Sequence, residues 1–204
     1  NLKKRGSKML PQNIIFVGVF LNLFCSIWYI KNIFYGQTKP NLVSWFMWML
    51  APFIGFFLQL KAGAGFSSLG AFMAGFGPFL VIIFSLFNKK AFWKIQFFDL
   101  VCGFFSIIAV IFYLITNNLG VSIIFAILSD LLAYIPTFIK SWKFPETETS
   151  SIYIGGVINN ILSLLIIKNW IFTIYSFSAY LVLANLIEIY FLYRQKFFKS
   201  WSRP

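Results

Sequence analysis

The carboxyl group of Asp130 is the first candidate for chemistry in this sequence, because it stands near the middle of a long apolar run at 119–141. A charged side chain at the centre of a membrane costs about 2.5–3.5 kcal/mol on insertion scales, so such a residue faces a cavity or a partner. We expect Asp130 to contact substrate and to take up and release a proton. The alternative is a protonated side chain that only ties two helices together.

Three amides and a second carboxyl group occupy two later apolar runs. Asn159 and Asn160 are adjacent, and neighbours on a helix point about 100° apart. One of the two is therefore expected to face a cavity while the other bonds to a neighbouring helix. Asn185 and Glu188 lie one turn apart on one helix face and would form half of a polar pocket. The alternative for Glu188 is a salt bridge to a lysine or an arginine.

Aromatic side chains supply the first half of the sequence with its candidate ligand contacts. Trp45 and Trp48 lie one helical turn apart on one face. Indole rings in this arrangement suit a planar ring or the face of a sugar, and Trp48 is predicted to contact substrate. Trp45 stands near the start of its run, where tryptophans commonly anchor a helix at the membrane interface. Interfacial anchoring is therefore the alternative for this pair.

No catalytic constellation accompanies these residues. The sequence has no histidine, and its two cysteines, Cys25 and Cys102, lie far apart inside apolar runs. This spacing fits neither a disulfide framework nor a metal site. The sequence also lacks a glycine-flanked nucleophilic serine and a phosphate-cradling loop. We expect no enzyme activity, no metal and no cofactor.

The elements that must position the candidate residues are membrane helices. Of the 204 residues, 60% are hydrophobic and only 11% are charged, which is more apolar surface than a soluble domain of this size can bury. Apolar runs long enough to cross a bilayer recur between short polar breaks. This pattern predicts an all-α membrane protein with about seven transmembrane helices, at 12–35, 42–61, 66–88, 92–115, 119–141, 150–168 and 171–194. The first run lacks a small-residue cleavage site, so we expect a spanning helix rather than a signal peptide.

The net charge of +12 resides in loops and tails, where basic residues mark the cytoplasmic face rather than a nucleic-acid site. Alternate breaks and the C-terminal tail place eleven basic residues on one side: Lys31, Lys39, Lys89, Lys90, Lys94, Lys140, Lys143, Arg194, Lys196, Lys199 and Arg203. This bias favours an N-terminus outside and a C-terminus in the cytoplasm, although the N-terminal tail is also basic. We expect an integral protein of a bacterial plasma membrane whose partners are the lipid bilayer and a small-molecule substrate. A homo-oligomer is left open, and no nucleic-acid partner is expected.

Two segments of the sequence, 29–45 and 134–150, align at an offset of 105 residues. The pair Tyr-Ile begins both segments, and Pro40 falls on Pro145. An offset of four helices pairs the first three helices with the last three in the same direction. This predicts two parallel three-helix repeats joined by a linker helix. The corresponding segments are a basic N-terminal tail at 1–10, a first bundle at 11–88, the linker at 89–117, a second bundle at 118–195 and a basic C-terminal tail at 196–204.

This three-plus-one-plus-three plan, with a proline near the same end of the first and fifth helices, resembles the PQ-loop superfamily. That superfamily includes the SWEET sugar transporters, the lysosomal amino-acid exporters, the KDEL receptor and, more distantly, the bacterial nicotinamide riboside transporters. The resemblance covers about residues 11–195. The Pro-Gln pair that gives the family its name is absent, since Pro136-Thr137 and Lys31-Asn32 stand in its place. The resemblance implies a substrate site between the repeats and an external N-terminus.

The sequence therefore predicts a small membrane carrier. It would move a small polar metabolite, such as a sugar, an amino acid or a vitamin, by alternating access, with Asp130 coupling transport to protons. Pro136 and Pro78, which interrupt apolar runs, are the predicted hinges. The alternative is a non-transporting receptor or assembly protein of the same fold that binds a peptide or a lipid headgroup.

Overall fold

A computed structural model of the chain describes residues 11–88, 93–116 and 118–201, without the side chains of Tyr113 and of residues 195–201. The predicted N-terminal tail at 1–10, the lysines at 89 and 90, and residues 202–204 lie outside the described part. Within it the protein is all α-helical, as predicted. The seven helices are α1 (Ile15–Phe34), α2 (Leu42–Lys61), α3 (Leu69–Leu86), α4 (Phe97–Ile115), α5 (Leu119–Lys143), α6 (Ser151–Leu165) and α7 (Phe172–Trp201).

Five helical segments of the described chain are long and apolar enough to cross a membrane: Gln12–Phe34, Leu42–Lys61, Gly65–Leu86, Leu119–Lys143 and Phe172–Arg194. The other two apolar stretches, Phe97–Phe112 and Ser151–Leu165, are shorter. At 1.5 Å per residue the 15 residues of α6 extend about 22 Å, less than the roughly 30 Å of a bilayer core. The chain is therefore consistent with an integral membrane protein in which not every helix has full spanning length.

The start of α4 differs from the prediction, which placed it at residue 92. A capping box begins the helix at Phe97: the backbone nitrogen of Gln96 donates to Asp99 Oδ2 over 2.8 Å, and the Gln96 side chain accepts in return. Asp99 is buried. It therefore caps α4. The reciprocal cap satisfies backbone donors that the first helical turn leaves without partners.

The end of α6 also differs, since the helix stops at Leu165 rather than at 168. Ile166 and Ile167 follow in a turn and are buried there. An apolar run alone does not distinguish a helix from a buried turn, and this is why the sequence overestimated the length of α6.

The helices pack in an order that leaves α4 outside a group of six. Helix α3 packs against both α1 and α2, and α7 packs against both α5 and α6. Between these two triplets, α1 lies along α6 and α2 lies along α5. Helix α4 packs on α5 and, over a smaller surface, on α2. The six remaining helices surround a common centre.

Three loops meet at one end of this group. The backbone nitrogen of Lys39 donates to the Thr147 carbonyl over 3.0 Å, joining the α1–α2 loop to the α5–α6 loop. The backbone nitrogen of Trp93 donates to the Pro40 carbonyl over 3.2 Å, which adds the α3–α4 loop. We call this the lysine-rich end, because Lys31, Lys39, Lys94, Lys140 and Lys143 lie in or next to these loops. The α2–α3 and α6–α7 loops lie at the opposite end.

Candidate functional site

A small cavity lies at the centre of the six-helix group. Its volume is about 40 Å³, enough for a few water molecules. Residues of α1, α2, α3, α5, α6 and α7 all contribute to its wall. The polar and aromatic members of the wall are Asn22, Trp45, Trp48, Asp130, Tyr134, Tyr153, Asn160 and Asn185.

Four of the six residues predicted to contact substrate line this cavity: Trp48, Asp130, Asn160 and Asn185. They come from α2, α5, α6 and α7, so helices far apart in sequence bring them together. The other two, Asn159 and Glu188, are buried but lie outside the cavity wall. The structure thus collects most of the predicted residues at one place.

Asp130 lies near the middle of α5 and is 1% exposed. Its Oδ2 accepts a hydrogen bond of 2.9 Å from the Tyr180 hydroxyl of α7. Its backbone carbonyl accepts a longer bond, 3.4 Å, from Trp48 Nε1 of α2. Asp130 on α5 is therefore bonded to both α2 and α7 at the cavity wall. Sequence reasoning missed Tyr180, because a tyrosine in so aromatic a chain carries no distinguishing signal.

The amides of the cavity are only partly satisfied. Asn160 Nδ2 donates to the Gly156 carbonyl over 2.9 Å, and Asn160 Oδ1 is buried without a hydrogen-bond partner. Asn22 Oδ1 is also buried without a hydrogen-bond partner. Asn185 has partners at both ends, because Tyr134 donates to its Oδ1 over 3.3 Å and its Nδ2 donates to the carbonyl of the preceding turn. Unpartnered buried acceptors are costly, so those of Asn22 and Asn160 point to a ligand or water.

Asn159 takes the second role that its adjacent position predicts. Its Nδ2 donates to the Gly70 carbonyl of α3 over 3.3 Å, so this side chain joins α6 to α3. A Cβ atom on Gly70 would collide with Ser163 and would lie 3.1 Å from Asn160 Oδ1. The two helices are therefore in close contact here, and only glycine fits. This contact lies on the side of the cavity toward the opposite end.

Glu188 lies on α7 toward the lysine-rich end and is fully buried. Ser141 of α5 donates a hydrogen bond to its Oε1, and its Oε2 has no hydrogen-bond partner. Among the described residues Glu188 makes no salt bridge. Arg194, one candidate partner on the same helix, instead donates to backbone carbonyls of Ser141, Trp142 and Phe191. The described structure therefore does not support the salt-bridge alternative.

A chain of aromatic rings runs from the cavity toward the lysine-rich end. The ring centroids of Trp48 and Tyr134 lie 4.2 Å apart, those of Trp48 and Trp45 lie 5.1 Å apart, and those of Trp45 and Tyr29 lie 4.9 Å apart. Trp45 is 1% exposed. It is therefore part of the protein interior and not an anchor in the lipid interface, which was the alternative drawn from its position.

A buried ion pair lies at the end of this aromatic chain. Lys140 Nζ of α5 is 2.5 Å from Glu148 Oε2 in the α5–α6 loop, and both side chains are at most 1% exposed. Tyr29 of α1 donates to the other oxygen of Glu148. Lys140 also donates to the Lys39 carbonyl in the α1–α2 loop. We call Tyr29, Lys39, Lys140 and Glu148 the latch, because together they join α1 and its loop to α5 and its loop.

The two loops make further contacts beside the latch. The hydroxyl groups of Thr38 and Thr149 share a hydrogen bond, and Lys39 binds Thr147 through the backbone as described above. Thr38 and Glu148 are buried. The lysine-rich end of the cavity is therefore closed by direct contact between the two loops.

Within the described residues three prolines lie inside helices, Pro52 in α2, Pro78 in α3 and Pro136 in α5. Each lacks the backbone N–H of an ordinary helical residue, so its helix misses one hydrogen bond. Pro52 and Pro78 line the cavity, whereas the predicted hinge Pro136 lies beside Lys140 in a cleft nearer the lysine-rich end. Pro52 was not among the hinges predicted from the sequence.

No protein-family model matches the chain, and no curated protein or solved structure shows significant similarity to it.

Proposed function

We propose that the protein is a membrane carrier for a small polar molecule, built from two parallel three-helix repeats and a linker helix. One observation carries the proposal: a buried cavity with unpartnered polar atoms lies where six helices meet, closed at one end by the latch. Sites of this kind between repeats are typical of secondary transporters.

The packing order supports the repeat. In the first triplet the third helix packs against both others, and in the second triplet the same is true of α7. The repeat pairs α1 with α5, α2 with α6 and α3 with α7. If each helix is replaced by its counterpart, the α1–α6 contact becomes the α5–α2 contact, and the α2–α5 contact becomes the α6–α1 contact. The helix pairing is thus unchanged by a pseudo-two-fold operation. Helix α4 stands outside this symmetry, as a linker would.

The cavity is much smaller than an ordinary ligand pocket, and a state closed on both sides in an alternating-access cycle explains this. Pockets for small ligands usually measure about 300–1,000 Å³, and this one measures about 40 Å³. At the lysine-rich end the latch closes it, and toward the opposite end the contact of Gly70 with α6 closes it. A larger opening of about 470 Å³ lies at the opposite end, between the α2–α3 and α6–α7 loops. We take this state as closed on both sides, with a vestibule outside the Gly70 contact.

Opening would require the triplets to move apart at one end at a time. The helical prolines Pro52 and Pro78 lie at the cavity wall, where a bend changes its width. Pro136 lies next to the latch, so a bend in α5 there would separate Lys140 from the α1–α2 loop. This assigns the three prolines to hinges between the two ends.

Asp130 is the proposed site of proton coupling. Among the described residues that line the cavity, Asp130 is the one with a carboxyl group. The hydroxyl of Tyr180 donates a hydrogen bond to one of its oxygens. The nearby tyrosines 134 and 153 are neutral donors and acceptors at ordinary pH. A carboxyl group that faces one side of the membrane and then the other can carry a proton across with each cycle.

The lysine-rich end is proposed to face the cytoplasm, which follows the positive-inside rule. The N-terminus would then be outside and the C-terminus inside. Thiol access tests the carrier itself: a cysteine placed in the cavity wall should react with a membrane-impermeant reagent from both sides. A receptor of the same fold, the alternative class, would open to one side only.

A further inference from the structure

We infer that the substrate is a small organic cation that carries hydrogen-bond donors. The inference rests on the proposed role of the central cavity as the substrate site, and it concerns the chemical class of the ligand. Three properties of the cavity wall support it independently: the sign of its charge, the kind of hydrogen-bonding atom left free, and the presence of aromatic rings.

The charge of the wall excludes anions. Asp130 lines the cavity, and no lysine or arginine does so among the described residues. The two buried cations of the described chain have other partners: Lys140 pairs with Glu148, and Arg194 binds backbone carbonyls and stacks on Trp142 at 3.8 Å. A carboxylate or phosphate ligand would meet a carboxyl group without a counter-charge, and burying such a pair is strongly unfavourable. A cation would neutralise Asp130.

The free hydrogen-bonding atoms favour a ligand that donates. Asn160 uses its amide nitrogen on a backbone carbonyl, which leaves its oxygen as an acceptor. Asn22 also has an unpartnered buried oxygen. The Tyr153 hydroxyl is unpartnered as well, and it can donate to an alcohol or carbonyl oxygen of the ligand. A cationic nitrogen next to a hydroxyl group satisfies this set.

The aromatic rings supply a further attraction for positive charge. Trp45, Trp48, Tyr134 and Tyr153 all line the cavity, and the Trp48 ring lies within 6.3 Å of the other three, centroid to centroid. The negative face of an aromatic ring attracts a cation, and rings grouped around a carboxylate are a common way to bind quaternary or primary ammonium groups. A neutral sugar would use the rings but would gain no attraction from the negative charge of Asp130.

Two matched series of ligands test the inference by binding to the purified full-length protein, read by tryptophan fluorescence. The first series is choline, 3,3-dimethylbutan-1-ol and 3,3-dimethylbutanoate, which share a shape and differ in charge. The second is tyramine, 4-ethylphenol and 4-hydroxyphenylacetate. In at least one series we expect the cation to bind about tenfold more tightly than its neutral analogue, and the anion to bind weakest. Equal binding of cation and neutral analogue in both series, tighter anion binding, or no binding in either series overturns the inference.

The Asp130→Asn variant locates the effect. It should remove the advantage of the cation over the neutral analogue, whereas Asp99→Asn, which changes a carboxyl group outside the cavity, should keep it. Retention of the advantage in Asp130→Asn also contradicts the inference. Because binding is measured without transport, the two proposals fail separately. If binding is selective for the cation but thiol access is one-sided, only the carrier proposal is contradicted. If thiol access is two-sided but binding shows no charge selectivity, only the inference of a cationic substrate is contradicted.

Discussion

Lys140 Nζ and Glu148 Oε2 lie 2.5 Å apart, and neither side chain is exposed to solvent by more than 1%. A buried pair of this kind is costly to break, because removal of one partner leaves the other charge buried alone. The pair also bonds to two other parts of the chain, Tyr29 and the Lys39 carbonyl. The ion pair is therefore part of the contact that holds the α1–α2 and α5–α6 loops together.

Replacement of Glu148 by glutamine should weaken the latch. Lys140 would lose its counter-charge, at a cost of about 3–5 kcal/mol if the end stayed closed, so we expect the lysine-rich end to open more often. The melting temperature should fall, and cavity cysteines should react faster from that end. Glu146→Gln is the matched control, because Glu146 is exposed in the same loop. Identical behaviour of the two variants would show that the pair does not hold the end closed.

Replacement of Asp130 by asparagine should abolish uptake driven by a pH gradient. The amide keeps the shape and can still accept from Tyr180, which binds Asp130 over 2.9 Å, but it takes up no proton. Uptake of whichever cation binds, labelled choline or labelled tyramine, into proteoliposomes with an imposed pH gradient measures this. Asp99→Asn should retain the response, since Asp99 caps α4 outside the cavity. A pH response that survives in Asp130→Asn would remove the residue from the coupling mechanism.

Replacement of Gly70 by alanine should separate α3 from α6. The new methyl group would collide with Ser163, and overpacking of this kind costs typically about 1–3 kcal/mol. We expect a lower melting temperature and easier access to the cavity from the opposite end. Gly55→Ala is the control, because the nearest atom to its Cβ, on Phe177, lies at an ordinary 3.5 Å. A matching loss in both variants would mean that a general packing effect of the added methyl group, and not the Gly70 contact, determines the result.

Much of the fold was accessible from the sequence because membrane helices leave a strong local signal. Runs of about 20 apolar residues between polar breaks predicted all seven helices, most of them within a few residues of their observed bounds. Helix α7 continues to Trp201, beyond the predicted end at 194. The errors came where local structure departs from hydropathy. Helix α4 begins later than predicted, because Asp99 forms a capping box with Gln96. Helix α6 ends earlier than predicted, because the two isoleucines after Leu165 form a buried turn.

The candidate site was accessible in part, for a related reason. Asp130, Asn160 and Asn185 stood out as polar residues in apolar runs, and all three line the cavity. The bonds of Tyr180 to Asp130 and of Tyr29 to Glu148 were not predictable, because they join residues 50 and 119 positions apart in a chain with nine tyrosines. Such pairs depend on which helix faces meet, and hydropathy alone does not report that.

Thiol labelling at Met73 shows whether the cavity opens to each side of the membrane in turn. This residue of α3 lines the cavity and is 3% exposed. Met73→Cys, in a chain whose Cys25 and Cys102 are replaced by alanine, would be treated with a membrane-impermeant maleimide from each side of oriented vesicles. Met47→Cys is the control, because Met47 is equally buried but lies in the packed core outside the cavity wall.

We expect the cysteine at position 73 to react from both sides and to be protected by substrate, and the cysteine at position 47 to react from neither side. Reaction of the position 73 cysteine from one side alone would contradict the carrier and leave a receptor as the function of this fold.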